Sequence, residues 1–118
     1  MAFEFGNQSK SYLSQILRNN LNSFKAFGYE AITVDNTVKN LTIPDGAKYA
    51  LMKLTSTATG NAVNYLEFGG SVTQVSTTVG LPIADGTAFD ITDAANLAGF
   101  QVTQIQAGTH ILYVQYYK

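Results

Sequence analysis

His110 is the single histidine of the chain, and a histidine can act as general base for a serine nucleophile when an acid orients it. No Gly-x-Ser-x-Gly elbow is present, and no sequence pattern pairs a serine with His110. It follows the Ala107-Gly108-Thr109 turn at the head of an apolar strand, where a structural histidine is expected. Asp85, Asp90 and Asp93 cluster loosely around a turn, but their spacing is not that of a calcium loop, which needs about six to eight oxygen ligands. Asp93 is instead placed to cap a short helical turn. Glu67 with Asp85 or Asp90 would be a carboxylate pair for glycoside hydrolysis only if they flanked a cleft, and short loops leave little room for one. Gly69-Gly70 and Gly80 lack the lysine and the following helix of a phosphate loop. The residues therefore predict no catalytic group, no metal site and no cofactor.

Tyrosine is the more informative residue type. Tyr113, Tyr116 and Tyr117 crowd the end of the chain, with Tyr12, Tyr29, Tyr49 and Tyr65 elsewhere. The ring is large, rigid and amphipathic, which suits both interfaces and sugar-stacking platforms. Alternation on a terminal strand puts Leu112, Val114 and Tyr116 on one face, read as core. Tyr113, Gln115 and Tyr117 fall on the other, read as a partner surface.

These side chains must be positioned by a mainly β framework. Between Ser9 and Phe27, Leu13, Ile16, Leu17, Leu21 and Phe24 recur at helical spacing, opposite Lys10, Ser14, Arg18 and Asn22. This predicts an amphipathic helix ended by Gly28, and its apolar stripe is a second candidate partner surface. From Tyr29 onward the period is two. Ala31–Val34, Leu41–Ile43, Ala47–Thr55, Val63–Phe68, Ala88–Ile91, Phe100–Ile105 and His110–Tyr117 read as strands. The turns between them include Asp35-Asn36, Pro44-Asp45-Gly46, Thr59-Gly60-Asn61 and Asp85-Gly86. The Ala47–Thr55 strand carries apolar residues on both faces and is expected to be covered on both. A phase change after Val102 predicts a bulge. Ala94–Leu97 is expected to make one helical turn. The organisation is an arm over 1–28 and a β-domain over 29–118, in an antiparallel β-sandwich of jelly-roll-like or immunoglobulin-like type.

Composition bounds the function. Of the 118 residues only 13% are charged, against about 25% in an average soluble protein. Thr, Asn, Ser and Gln fill the difference. The net charge is −1 and the seven Lys and Arg are scattered, which argues against nucleic-acid binding. With no cysteine, disulfides and thiolate-bound zinc are excluded. No apolar run is long enough to span a membrane, and Met1–Gly6 does not read as a signal peptide.

One ordered set of segments resembles a known group. Leu41-Thr42-Ile43-Pro44 and Gly46-Ala47-Lys48-Tyr49-Ala50 are followed by Val63–Phe68 with Gly69-Gly70, and then by Val72-Thr73. Next come Gly80-Leu81-Pro82-Ile83, Asp85-Gly86, Phe89 and Phe100, and the chain ends in Leu112-Tyr113-Val114-Gln115-Tyr116-Tyr117. This order is similar to that of small virion structural proteins of tailed phages and prophages. It departs from that group in its Glu67-Phe68-Gly69-Gly70 turn, where a doubly acidic Gly-Thr turn is more usual, and in the helical arm. The resemblance implies an oligomeric β-sandwich, with a trimer favoured, that decorates a capsid or seats fibres and spikes. Its partners would be copies of itself and virion proteins such as the major capsid protein, and its location the virion. Two alternatives are a neck or tail component and a carbohydrate-binding module stacking sugars on Tyr113, Tyr117 or Tyr65.

Overall fold

A computed structural model of the chain describes residues 25–67 and 73–118. It is mainly β: β1 (Ala26–Val34), β2 (Tyr49–Ser56), β3 (Asn61–Leu66), β4 (Leu81–Ala84), β5 (Ala88–Thr92), β6 (Gln101–Gln104) and β7 (His110–Tyr117). One short helix, α1 (Ala94–Gly99), precedes β6. The strands form two antiparallel sheets, a four-stranded one in the order β1-β7-β2-β5 and a three-stranded one in the order β4-β3-β6.

The inner faces of the two sheets share one core. Alternation on β1, β2 and β7 turns Ile32, Val34, Ala50, Met52, Leu54, Leu112, Val114 and Tyr116 inward, where they meet Val63, Ile83 and Val102 of the smaller sheet. α1 and its C-terminal flank close the core with Leu97 and Phe100, both fully buried. The Tyr65 ring stacks on Phe89 of the opposite sheet, with centroids 4.6 Å apart, and on Phe100 at 5.7 Å. Each buried large apolar side chain contributes about 1.5–3 kcal/mol, so the central strand β7 is a principal source of stability.

β7 matches its predicted span, and its Leu112, Val114 and Tyr116 face is core as expected. The Pro44 turn is present, with Ala47 N–H donating to Pro44 O at 3.1 Å and Gly46 at φ +86°. Several expectations are corrected. Ala26, Phe27 and Gly28 are not the end of a helix but the start of β1, which runs through Gly28 with a register shift. Gly28 serves close approach, because a Cβ there would meet Pro44 Cγ at 2.8 Å. The stripe residues Leu13, Ile16, Leu17, Leu21 and Phe24 lie outside the described residues. Leu41–Ile43 is irregular rather than a strand. β2 is interior to its sheet, but the described residues leave the middle of its outer face uncovered, with Leu51 41% exposed. β6 pairs with β3 without a register shift. Its phase change arises because Gln101, Val102 and Thr103 are all buried, covered on both faces. Asp93 precedes α1 with φ +80°, but its carboxylate makes no capping bond.

Candidate functional site

The two outer faces differ in what covers them. On the three-stranded sheet, Asn64 and Thr103 form one outward cross-strand row and Leu66 and Gln101 the next. The chain's own residues 73–79 cross this face. Gln101 Oε1 accepts from Val75 N–H at 3.1 Å, and Asn64 Nδ2 donates to Ser76 O at 2.8 Å. Val75 is 2% exposed. Thr103 Oγ1 donates to the carbonyls of Asp35 and Thr37, at 3.2 and 3.3 Å. The free edge of β6 is sealed by a bridge in which Lys39 and Val102 exchange backbone bonds of 2.9 and 3.0 Å.

The outer face of the four-stranded sheet carries no such roof among the described residues. One row across it is Tyr29–Gln115–Leu51–Asp90, and the next is Ala31–Tyr113–Lys53–Ala88. Tyr29 is 66% exposed and Leu51 41%. Tyr29, Leu51, Lys53, Tyr113 and Gln115 line a shallow hollow of about 150 Å³. Tyr29 and Gln115 also border a second, open hollow of about 440 Å³ beside Ala26, Phe27 and Gly28. The two hollows together run from the middle of the sheet to the start of β1.

Tyr113, Gln115 and Tyr117 all lie on this outer face, as the alternation predicts. Gln115 and Tyr113 sit in its open part. Tyr117 is engaged at one end, packed edge-on against Tyr49 at 5.4 Å between centroids. Tyr49 donates to Asp90 Oδ2 at 2.9 Å. Burial and that bond to a carboxylate push its hydroxyl well above the ordinary tyrosine range. Tyr65 is unsuited to stack a sugar, because Phe89 and Phe100 already occupy its ring, and burial raises its hydroxyl too. Sequence reasoning missed Tyr29 and Leu51 as exposed groups. The signal was present in their odd-numbered positions on β1 and β2, in phase with Tyr113 and Gln115 once the register is known.

The remaining chemistry is internal. His110 is fully buried, and its Nε2 lies 2.8 Å from the Gln106 carbonyl, which can only accept. Nε2 therefore carries the proton, leaving Nδ1 to accept from Ser56 Oγ at 2.7 Å. Sequence did not pair these two residues. The arrangement resembles half of a Ser–His dyad, but the ring is backed by a carbonyl instead of a carboxylate. Ser56 Oγ also accepts from Ala58 N–H at 2.9 Å, and neither hollow reaches the pair. It fastens the turn after β2 to the turn before β7. On β1, the inward carboxylate of Glu30 accepts from the Tyr116 hydroxyl and from Thr42 N–H. Burial first, and this bond second, raise the Tyr116 hydroxyl far above its usual range. The exposed Asp35 carboxyl lies below its ordinary value, held there by bonds from the Thr37 hydroxyl and N–H.

Among the described residues no His, Asp and Glu cluster is arranged to hold a metal, and no helix is long and apolar enough to cross a membrane.

No protein-family model and no curated protein matches the chain. Among solved structures it is similar to one described as "Bacillus endospore appendages form a novel family of disulfide-linked pili". The match has 17% identity and a TM-score of 0.46, and covers 79% of this chain and 87% of that one. A likeness of that size decides neither family nor function.

Proposed function

We propose that this protein is a non-enzymatic structural subunit of a tailed-phage or prophage virion, a capsid decoration, vertex or fibre-base protein acting through protein–protein contacts. The observation that carries the reading is the outer face of the four-stranded sheet, which no described residue covers and where Tyr29, Leu51, Tyr113 and Gln115 stand together. Aromatic residues with few charges are the composition of interface cores, and contiguous exposed apolar surface commonly marks an interaction site. The ordered resemblance to small virion proteins supplies the class of partner: copies of itself, with a trimer favoured, and the major capsid protein.

Strand order supports the finer fold. If the segment around Lys39 is counted as a reduced strand beside β6, the second sheet becomes Lys39 segment-β6-β3-β4 opposite β1-β7-β2-β5. Two four-member antiparallel sheets connected in this way make a jelly roll, a fold that viral capsid and lectin domains share. Fold alone does not choose between those uses.

The test uses virus particles assembled without this protein. Purified wild-type chain should co-sediment with them saturably, and Leu51→Glu should abolish binding while the circular dichroism spectrum stays unchanged. Wild-type protein that ignores such particles would sink the virion reading. The second reading, a glycan-binding module, is favoured by Tyr29, Tyr113 and Gln115 lining one open hollow. It predicts glycan-array binding that is lost in Tyr29→Ala and Tyr113→Ala.

A further inference from the structure

We propose that Asp45 is a site of spontaneous isoaspartate formation, and that the fold protects the chain's other Asp-Gly pair, Asp85-Gly86, from the same change. The inference concerns the covalent chemistry of the chain and stands apart from the proposed function.

The reaction needs no enzyme and no co-reactant but water. The backbone nitrogen of the residue after an aspartate attacks the side-chain carboxyl carbon. The nitrogen loses its proton, a new N–Cγ bond closes a five-membered succinimide, and the carboxyl hydroxyl leaves as water. Water then opens the ring. Opening at Cγ restores aspartate. Opening at the α-carbonyl leaves the main chain running through Cβ and Cγ, one atom longer. A following glycine favours ring closure because it has no Cβ and few conformational limits.

The chain has two Asp-Gly pairs, Asp45-Gly46 and Asp85-Gly86. Both are exposed turns, with glycine at φ +86° and +83°. Each is closed by one backbone bond, from Ala47 N–H to Pro44 O at 3.1 Å and from Thr87 N–H to Ala84 O at 3.2 Å. They differ in what holds the reacting groups. At the second pair, Gly86 N–H donates to Leu54 O at 2.8 Å, and Asp85 Oδ1 accepts from Ser56 N–H at 2.8 Å. Ring closure there would break both bonds. Leu54 N–H, donating to Thr87 O at 2.9 Å, ties the turn further onto β2. At Asp45-Gly46, neither the Gly46 N–H nor the Asp45 carboxylate has a hydrogen-bond partner among the described residues.

The lengthened backbone would fall between two fixed points. Pro44 lies against Gly28 of β1. Lys48 N–H donates to Tyr117 O at 2.9 Å, and Lys48 O accepts from Asp93 N–H at 2.8 Å. The extra atom therefore disturbs the corner where β1, β7 and β2 meet, and modified protein should unfold at lower denaturant concentration than unmodified protein.

The test ages the full-length wild-type chain at neutral pH and body temperature, with a parallel sample in strong urea. Trypsin separates the two sites, because it cuts after Lys39, Lys48 and Lys53 and no Lys or Arg lies between Lys53 and Lys118. Electron-transfer mass spectrometry then locates and counts isoaspartate in each peptide. The expected result is accumulation at Asp45 at least about tenfold faster than at Asp85 in folded protein, with the two rates drawing together in urea, where the protecting bonds are gone. Asp45→Asn and Asp85→Asn report the same ring closure with ammonia as the leaving group, and only the first should deamidate quickly while folded. No isoaspartate at Asp45 beyond that of a fresh sample, or equal rates at the two sites in folded protein, would overturn the proposal. So would rapid deamidation of folded Asp85→Asn, or a tenfold preference that survives in urea and so owes nothing to the fold.

Discussion

On the three-stranded sheet, outward-facing Asn64, Gln101 and Thr103 each hold a piece of the chain's own backbone, and Val75 fills the space between them. On the four-stranded sheet, outward-facing Tyr29, Leu51 and Gln115 hold nothing described. Both sheets are antiparallel. What differs is side-chain chemistry. Amides and hydroxyls can satisfy the N–H and C=O groups of a loop laid over them, so the loop can be buried without leaving polar groups unpaired. Tyrosine and leucine offer area but few bonds, so they suit a surface that brings its own hydrogen-bonded backbone. A face that recruits its own loop is finished within the monomer. A face of Tyr and Leu, which no described residue covers, is the one proposed above as a contact surface.

Substitutions can break this contrast from either side. The largest effect is expected at Gly80, where the roof turns toward β4. Its φ is +139°, and a Cβ would lie 2.8 Å from the Asn64 Cβ and 3.2 Å from the Tyr65 carbonyl oxygen. Gly80→Ala should cost about 2–4 kcal/mol in urea unfolding, from backbone strain and overpacking together. A cost near zero would mean that the roof is not seated as described. Next, Gln101→Ala should cost about 1–3 kcal/mol, because Val75 N–H loses its acceptor in a buried position. Faster hydrogen exchange at the Val75 amide would locate the damage.

A smaller effect is confined to alkaline pH and compares the inner face with the outer. The hydroxyls of Tyr116, inside, and Tyr49, outside, are both raised, by burial first and by their carboxylate partners second. The folded state thus favours the neutral ring. The stability this contributes is complete below the unfolded tyrosine value, about 10, and is lost as pH rises above it. Stability should fall above about pH 10, and Tyr116→Phe and Tyr49→Phe should each flatten the fall in denaturation measured from pH 9 upward. Equal slopes in wild type and variants would contradict the assignment. The smallest effect is expected on the bare face itself. Tyr29→Ser and Leu51→Ser should change monomer stability by no more than about 0.5 kcal/mol. A loss of several times that size in a monomeric sample would show the face to be covered by its own chain.

Much of this can be read from residue order. β7 is legible because strict alternation follows a Gly-Thr turn, and the Pro44, Gly60 and Gly86 turns are legible because each residue type carries its own backbone preference. The start of β1 is not. Phe27 and Gly28 fit the end of an amphipathic helix as well as a strand, and only the ladder to Tyr116 and Tyr117 decides. Leu41–Ile43 alternates like a strand but finds no partner to make it one. Unbroken burial over Gln101–Thr103 looks like a bulge because sequence cannot show that residues 73–79 cover the second face. For the candidate site, alternation separates Tyr113 and Gln115 from the core. It cannot say which of two outer faces stays bare, since that depends on where a loop distant in sequence comes to rest.

The Lys39 bridge carries a consequence for handling the protein. The Lys39–Val102 pair does not act alone: Gln104 N–H donates to Asp35 O at 2.9 Å, and the Thr103 hydroxyl and the Asn40 side chain add further bonds, so the edge of β6 opens only when residues 35–40 release together. Their release uncovers the edge of β6, and an uncovered edge is a template for another chain. Slow loss of soluble protein on storage would then follow the release of the whole 35–40 segment from β6.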